Sequence, residues 1–468
     1  MRVSREWFGI IAAAALLLPS RAMAQISPAE TAQRAVVTEK SAYIALPPEL
    51  VAEPIVIGLN VSNGGRFALA QRMRFVTKPE MLEQAGALME RPQTEISLVL
   101  WDSITHRSSV VWHADGEEAH PVSVAWMPTA EVALVQVIET VPIHPDQPQG
   151  EKTFRPILLR IAAPTSRADV VDLSSLGQIM QLSVASSPTA SLAVVSAMRT
   201  EGANRTTSLS ILNTSGRIVG HVDLPLNATV TELRWTKNSQ PLIQVITRTA
   251  DGKGVQATWL TMNTTTGVLS PLPSQPKTPK EVTDLTAEPK PAAALPLRLK
   301  TASAAVKEAE TTQTAGLLWL ESATPSEKPR ILLSSDSTGG QLMARGRMAL
   351  VQSQGAVWAT PLLPIDRATY TKLMDQADRM RTLNRAKQAG LAVLMFAQDN
   401  DEMLPSGDGL AGNLAPYVPD PSILDGFDYT YAGGALADVA NPSQTILGTM
   451  NGANGQAVIY VDGHVTWR

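Results

Sequence analysis

VAWMPTAEVALVQVIE, residues Val124–Glu139, reads as strand, turn and strand, with Pro128 and Thr129 in the turn. The run Val132-Ala133-Leu134-Val135 does not alternate with polar residues, which marks a strand covered on both faces. RPILLRIAAPTSRADVVDL, Arg155–Leu173, follows as a hairpin of a second kind, with a longer polar turn and clearer alternation. The first kind recurs as LNVSNGGRFALAQRMRF (Leu59–Phe75), LSVASSPTASLAVVSAM (Leu182–Met198), LRWTKNSQPLIQVITR (Leu233–Arg248) and ARGRMALVQSQGAVWA (Ala344–Ala359). The second recurs as ISLVLWDSITHRSSVVWHA (Ile96–Ala114), TSLSILNTSGRIVGHVDL (Thr207–Leu224), QATWLTMNTTTGVLSPL (Gln256–Leu272) and AGLLWLESATPSEKPRILL (Ala315–Leu333). The two kinds alternate, so the repeating unit is four strands at a period of roughly 50–60 residues. Such a unit is the sequence signature of a β-propeller blade, and about five or six blades fit between residues 50 and 362. A β-sandwich pair and a β-solenoid compete with this reading; regular alternation of the two hairpin kinds favours the propeller.

The whole chain sets wider bounds. Its 468 residues suffice for two to four domains, and 44% hydrophobic residues supply a core. The formal net charge of −4 gives no electrostatic reason to expect nucleic acid as a partner. There is no cysteine, which excludes disulfides, thiol catalysis, thiolate metal sites and a lipid-modified cysteine anchor. Arg2 and Arg5, the apolar run Phe8–Leu18 and the small-residue site Ala22-Met23-Ala24 form a signal peptide over residues 1–24. Residues 25–49 are an N-terminal extension. No later stretch is long and apolar enough to span a membrane, so the mature chain is expected to be exported, periplasmic or extracellular.

Residues 271–314 are rich in Pro, Ala, Lys, Glu and Thr, a composition too poor in apolar surface to offset its ordering entropy. A flexible insertion within one blade is expected there, with ALPLRLKTA as its one strand. Ser274-Gln275-Pro276-Lys277 matches S-x-x-K, and in a Pro-rich linker that match is chance.

After Pro364 the apolar period changes from two to 3.6. Asp366 is placed as the N-cap of a long helix. Leu373, Ala377, Met380 and Leu383 mark its apolar stripe, which Ala386, Leu391, Leu394 and Met395 continue. Pro405 stops it. The chain ends in VIYVDGHVTWR, where alternating residues flank Asp462-Gly463, a two-residue hairpin turn.

Two resemblances follow from these residues. The strand-rich body resembles the loosely patterned propellers of exported bacterial proteins, the TolB-like and WD40-like group. Ser62-Asn63-Gly64-Gly65-Arg66-Phe67 is the nearest match to their blade turn, and Trp101-Asp102 is a single instance of their Trp-Asp pair. The blocks LNRAKQAGLAVLMFAQDNDEMLP, YVPDP, YTYAGG and VIYVDGHVTWR resemble, in order and spacing, the head domain of type II secretion pseudopilin-like proteins. That group is named for a histidine, nine residues and Asp-Gly. Here Asp462-Gly463 is present, and the histidine position is Gly452. The resemblance implies a pseudopilin-like α+β domain over residues 363–468, a long helix on an antiparallel sheet. A polymerising hydrophobic helix is not implied, because the helix at 366–398 is amphipathic.

No catalytic motif stands out. Asp399, Asp401 and Glu402 could bind calcium through oxygen ligands, although a solvated helix end accounts for them as well. The six histidines, His106, His113, His120, His144, His221 and His464, form no H-x-x-x-H pair. His113 and His120, with Asp115, Glu117 and Glu118, are read as surface-loop residues rather than a metal site. No catalytic, cofactor-binding or metal-binding residue is therefore assigned. The expected protein is mainly β and non-enzymatic, an interaction or assembly platform that docks an envelope or secretion-system protein. The alternatives are a cell-envelope hydrolase or lyase with its site at the propeller mouth, and a calcium-dependent surface protein.

Overall fold

The computed structural model of the protein describes residues 34–82, 87–128, 130–143, 146, 150–201, 204–248, 254–286, 295–308, 311–323, 331–343, 345 and 347–468. The expected signal peptide and its cleavage site lie outside them, as does His144. The chain divides into two compact units.

The first strands, β1 (Ala35–Val37) and β2 (Ser41–Ala45), belong to the smaller unit. In the larger unit β3 (Glu49–Ala52) precedes four antiparallel sheets of four strands in chain order. They are β4 (Val56–Val61), β5 (Phe67–Leu82), β6 (Ala87–Asp102) and β7 (Arg107–Asp115); then β8 (Ala119–Met127), β9 (Val132–Pro142), β10 (Lys152–Ala162) and β11 (Arg167–Val170). The third is β12 (Ile179–Ser186), β13 (Leu192–Glu201), β14 (Asn204–Asn213) and β15 (Ile218–Asp223). The fourth is β16 (Thr229–Trp235), β17 (Pro241–Arg248), β18 (Val255–Met262) and β19 (Leu269–Pro271). A short helix, α1 (Pro279–Leu285), leads to a sheet of β20 (Leu297–Glu308), β21 (Thr311–Ser322) and β22 (Ile331–Ser334). The sixth sheet holds β23 (Ser337–Met343), β24 (Met348–Ser353) and β25 (Ala356–Asp366), with β3 completing it beside β25 through Ala52↔Val357 and Leu50↔Trp358.

The unbroken apolar runs have a direct physical cause. Successive side chains of a strand point to opposite faces, and here both faces of the middle strands are covered. Val132 and Leu134 of β9 enter a cluster with Val195 of β13, whereas Ala133 and Val135 enter a different cluster with Leu69 of β5 and Leu98 of β6. In β13, Val195 faces one way and Val194 faces Ile243 of β17. The second sheet is thus packed between the first and the third, and the third between the second and the fourth. Val51 and Ala52 of β3 lie with Leu350 and Val357 in a cluster that also takes Ala68, Val99 and Trp101 from the first sheet.

Several expectations change here. The last hairpin of the first kind, Ala344–Ala359, is the middle pair of its sheet; the first pair is β23–β24. β23 carries Gly339-Gly340 and so has no apolar signature. A Cβ on Gly340 would stand 2.8 Å from the Leu350 carbonyl and 2.7 Å from Leu318, which requires the bare backbone. The insertion at 271–314 contains β20 over the stretch ALPLRLKTA, where its one strand was expected, and in addition α1 and the start of β21, which were not. Helix α1 begins on a side-chain cap: Thr278 accepts from Glu281 N at 3.2 Å, and Glu281 reaches back to accept from Lys277 N, just before the cap, at 2.7 Å. Gln275 serves β18 as a substitute strand neighbour, accepting from Trp259 N (2.6 Å) and donating to Trp259 O (3.1 Å). Those bonds cover backbone groups that an edge strand would leave unpaired.

In the smaller unit the extension expected at 25–49 supplies β1 and β2. β2 pairs with the end of β25 from Ser41↔Asp366 to Ala45↔Leu362. Asp366 then caps α2 (Arg367–Asp399), accepting from Thr369 N at 2.8 Å. The 33 residues of α2 make a helix about 50 Å long. Two short strands, β26 (Met403–Leu404) and β28 (Gly434–Ala435), pair with each other, and α3 (Leu410–Leu414) lies between them in sequence. The closing sheet runs β27 (Phe427–Tyr429), β29 (Ile446–Gly452), β30 (Gly455–Tyr460), β31 (Val465–Trp467). The helix face buried on it is made of small residues, Ala386, Ala389, Gly390, Val393 and Ala397. Met380, Leu391 and Met395, expected on the buried stripe, are exposed instead. The sheet approaches too closely for them: a Cβ on Gly390 would stand 2.9 Å from Ile459.

Candidate functional site

Chemistry-bearing side chains of the larger unit converge where the turns of three sheets meet. The β4–β5 turn is fixed by Gly65, whose φ of +64° only glycine adopts without strain, and by Phe67 N donating to Ser62 Oγ at 3.0 Å. This turn presents Arg66. Its guanidinium forks onto Asp102, at the end of β6, with Nε–Oδ1 at 3.1 Å and Nη2–Oδ2 at 2.9 Å. On its other side Nη1 stands 3.8 Å from Oε2 of Glu131, in the β8–β9 turn. Glu131 Oε1 in turn accepts from Arg345 Nη1, in the β23–β24 turn, at 2.8 Å. Asn63 adds a tie to the second sheet through Nδ2 and Trp126 O at 3.3 Å.

Burial orders this chain of charges. The side chains of Asp102 and Glu131 are 15% and 13% exposed, whereas that of Arg345 is 58% exposed. Burial by itself would raise the Asp102 carboxyl, but hydrogen bonds from Arg66 and from Ile104 N outweigh it and hold the group below its ordinary 3.8. Hydrogen bonding to Asp102 raises Arg66 further. Asp102 is therefore ionised at neutral pH, and Arg345, 58% exposed against 27% for Arg66, is the cation of this chain more open to solvent. A carboxyl whose pKa is depressed by folding stabilises the fold above the unfolded value, and that contribution is lost as pH falls through the folded one. Asp102→Asn is accordingly expected to cost about 1–3 kcal/mol near pH 7. By thermal melts at a series of pH values, the gap to the parent should close below the ordinary carboxylate range.

The residues weighed in the sequence are placed elsewhere. Asp399 accepts from the Tyr417 hydroxyl at 3.0 Å, while Asp401 and Glu402 both take positive φ in the turn that leaves α2. Among the described residues no three His, Asp or Glu side chains are grouped to hold a metal ion. His113 and His120 lie on strands of two different sheets. His106 bonds Glu49 at 2.7 Å, and His221 bonds Ser210 at 3.0 Å. His464 bonds Asp462 at 2.5 Å and stacks on Tyr460 with ring centroids 4.2 Å apart, so it completes the closing hairpin. Ser274 and Lys277 both precede α1 rather than lying a turn apart within it. Glu131 and Arg345 were not singled out in the sequence. Their contact joins residues 214 positions apart, and no local spacing announces it.

No protein-family model matches the chain, and no curated protein matches it. Solved structures do align with it. An oligogalacturonate lyase in complex with manganese is 12% identical, covering 69% of this chain and 93% of that one at a TM-score of 0.28. A putative dipeptidyl aminopeptidase IV from Bacteroides ovatus is 9% identical over 68% of this chain and 51% of its own, with a TM-score of 0.30. A gluconolactonase from Xanthomonas campestris is 9% identical over 68% and 98%, with a TM-score of 0.24. Likenesses this low carry no argument about what this chain acts on. They do correct the expectation of a non-enzymatic protein. Chains that align over two thirds of this one include a lyase, a peptidase and a lactonase. The non-enzymatic assignment is withdrawn.

Proposed function

We propose that the larger unit is a six-bladed β-propeller and a lyase for acidic glycans, with its site where the first-pair turns converge. Support for the ring comes from β3, which supplies the last strand of the sixth sheet and lies in one apolar cluster with the first sheet. A strand from the start of the chain that completes the final sheet is what a closed ring requires. Support for export is the basic, apolar, small-residue order of residues 1–24. The smaller unit is proposed as a pseudopilin-like head domain, on the strength of α2 packed against β27–β31 and the Asp462-Gly463 turn.

The observation that carries the activity is Arg345, an exposed guanidinium held by the largely covered carboxylate Glu131 beside Arg66. A uronate carboxylate fits the free N–H groups of Arg345. Binding there neutralises the carboxylate and acidifies the adjacent C–H. Glu131 is the nearest base for that proton. As the C–H bond breaks, its electron pair forms a C=C bond and the C–O bond to the leaving sugar breaks. The departing oxygen takes a proton from water. Hydrolysis of a glycosidic bond instead calls for a protonated carboxylic acid beside the bond, and Asp102 is held ionised. Arg345→Gln is expected to lower turnover of a uronate-containing glycan by about a hundredfold, the effect of removing one charge-stabilising group, with the melting temperature little changed. Equal turnover by parent and variant would exclude this site.

A further inference from the structure

The third and fourth sheets leave a polar cleft at the opposite end of their strands from the β12–β13 and β16–β17 turns. Its volume is about 440 Å³, and it lies between the β13–β14 and β17–β18 hairpins. Arg205, Arg248, Thr229 and Thr247 line it. Both arginines are exposed. Among the described residues, no carboxylate or other acceptor contacts either guanidinium or either threonine hydroxyl. Asn227 also lines the cleft, and its side-chain oxygen is already committed: Oδ1 accepts from Arg205 N at 3.1 Å, while Asn227 N donates to Arg205 O at 2.8 Å. Those two bonds hold the β15–β16 connection against β14 and fix the backbone from which Arg205 projects. Asn227 takes a φ of +59° to make them. The cleft thus presents two permanent cations and two hydroxyls able to donate, and no carboxylate is among its lining residues. A ligand complementary to such a lining is an oxyanion with several acceptor oxygens.

We propose that this cleft binds an oxyanion, a carboxylate, sulfate or phosphate group on a small molecule or chain end. It is separate from the Arg345 site, and neither reading depends on the other.

Calorimetric titration of the full exported chain with inorganic phosphate, sulfate, glucuronate and glucose tests it. Arg205→Gln and Arg248→Gln are the variants, because each removes a guanidinium and leaves the backbone bonds to Asn227 intact. Saturable binding of at least one anion, none of glucose, and a loss of about tenfold or more in Kd in each variant is the expected result. Phosphate and glucuronate separate a phosphorylated ligand from a uronate. Absence of saturable binding, or binding unchanged in the double variant, overturns the proposal. Arg345→Gln, measured alongside, should leave this binding intact while lowering turnover about a hundredfold, so failure of one site is distinguished from failure of the other.

Discussion

Placing a histidine at Gly452, where the pseudopilin-like group carries its named residue, is expected to destabilise the smaller unit strongly. A Cβ on Gly452 would stand 2.6 Å from the Trp467 ring, 2.9 Å from Asp378 Oδ2 and 3.1 Å from Thr382 Oγ1. The tight approach has a purpose in the packing. Asp378 on α2 accepts from Ala453 N at 2.7 Å, and Asp375 accepts from Asn454 at 2.5 Å, so the β29–β30 turn is pinned to the helix. A side chain at 452 must push this turn outward or displace Trp467, over which Arg379 stacks at 5.6 Å. Overpacking of this kind costs about 1–3 kcal/mol, and the loss of the Asp378 bond adds about 1 kcal/mol. Hydrogen exchange should show faster exchange through β29 and β30 in Gly452→His than in the parent. Gly452→Ala should show a smaller change in the same segments. Exchange identical to the parent in the histidine variant would mean that the turn is not held as described. Gly452 lies in a close helix–sheet contact that leaves no room for a histidine side chain.

Val51→Asp is expected to have the larger effect of the two. Val51 is 4% exposed and lies between the sixth and first sheets in the cluster that includes Trp101 and Leu350. Its burial contributes about 1.5–3 kcal/mol, and an unpaired carboxylate in its place costs several kcal/mol more. Leu50→Asp, one residue along and half exposed, reverses the direction of the side chain and should cost far less. The pattern of loss matters as much as its size. In a closed ring the β3 strand supports every sheet, so exchange protection should fall in β9 and β13 as well as in β5 and β24. In an open stack, loss would be confined to the first and sixth sheets. Protection retained in β9 and β13 would argue against closure.

What the sequence disclosed follows from which forces are local. Runs such as Val132–Val135 and Leu192–Val195 are legible because burial on both faces of a middle strand leaves no polar position. β23 was invisible because it carries Gly339-Gly340, and Gly340 answers to the close approach of a neighbouring sheet rather than to strand propensity. Helix α1 was hidden by proline and lysine content, although Thr278-Pro279-Lys280-Glu281 has the capping-box spacing that could have located it. For α2 the helix was legible from its period, but its buried face was not. Large apolar residues ordinarily mark the core side, and here contact with the sheet selected alanine and glycine. The candidate site was the least legible of all. Arg66, Asp102, Glu131 and Arg345 come from four separate turns, and their ion pairs depend on how the sheets are packed.

The fate of water during cleavage tests the proposed activity most directly. The full chain would be incubated with a uronate-containing glycan in heavy-oxygen water, and the fragments weighed by mass spectrometry. Elimination is expected to yield one fragment with an unsaturated uronate end, lighter by one water than a hydrolysis product, with both fragments formed about a hundredfold more slowly by Arg345→Gln. A saturated uronate end on every fragment, or no cleavage of any acidic glycan by the parent chain, would contradict it.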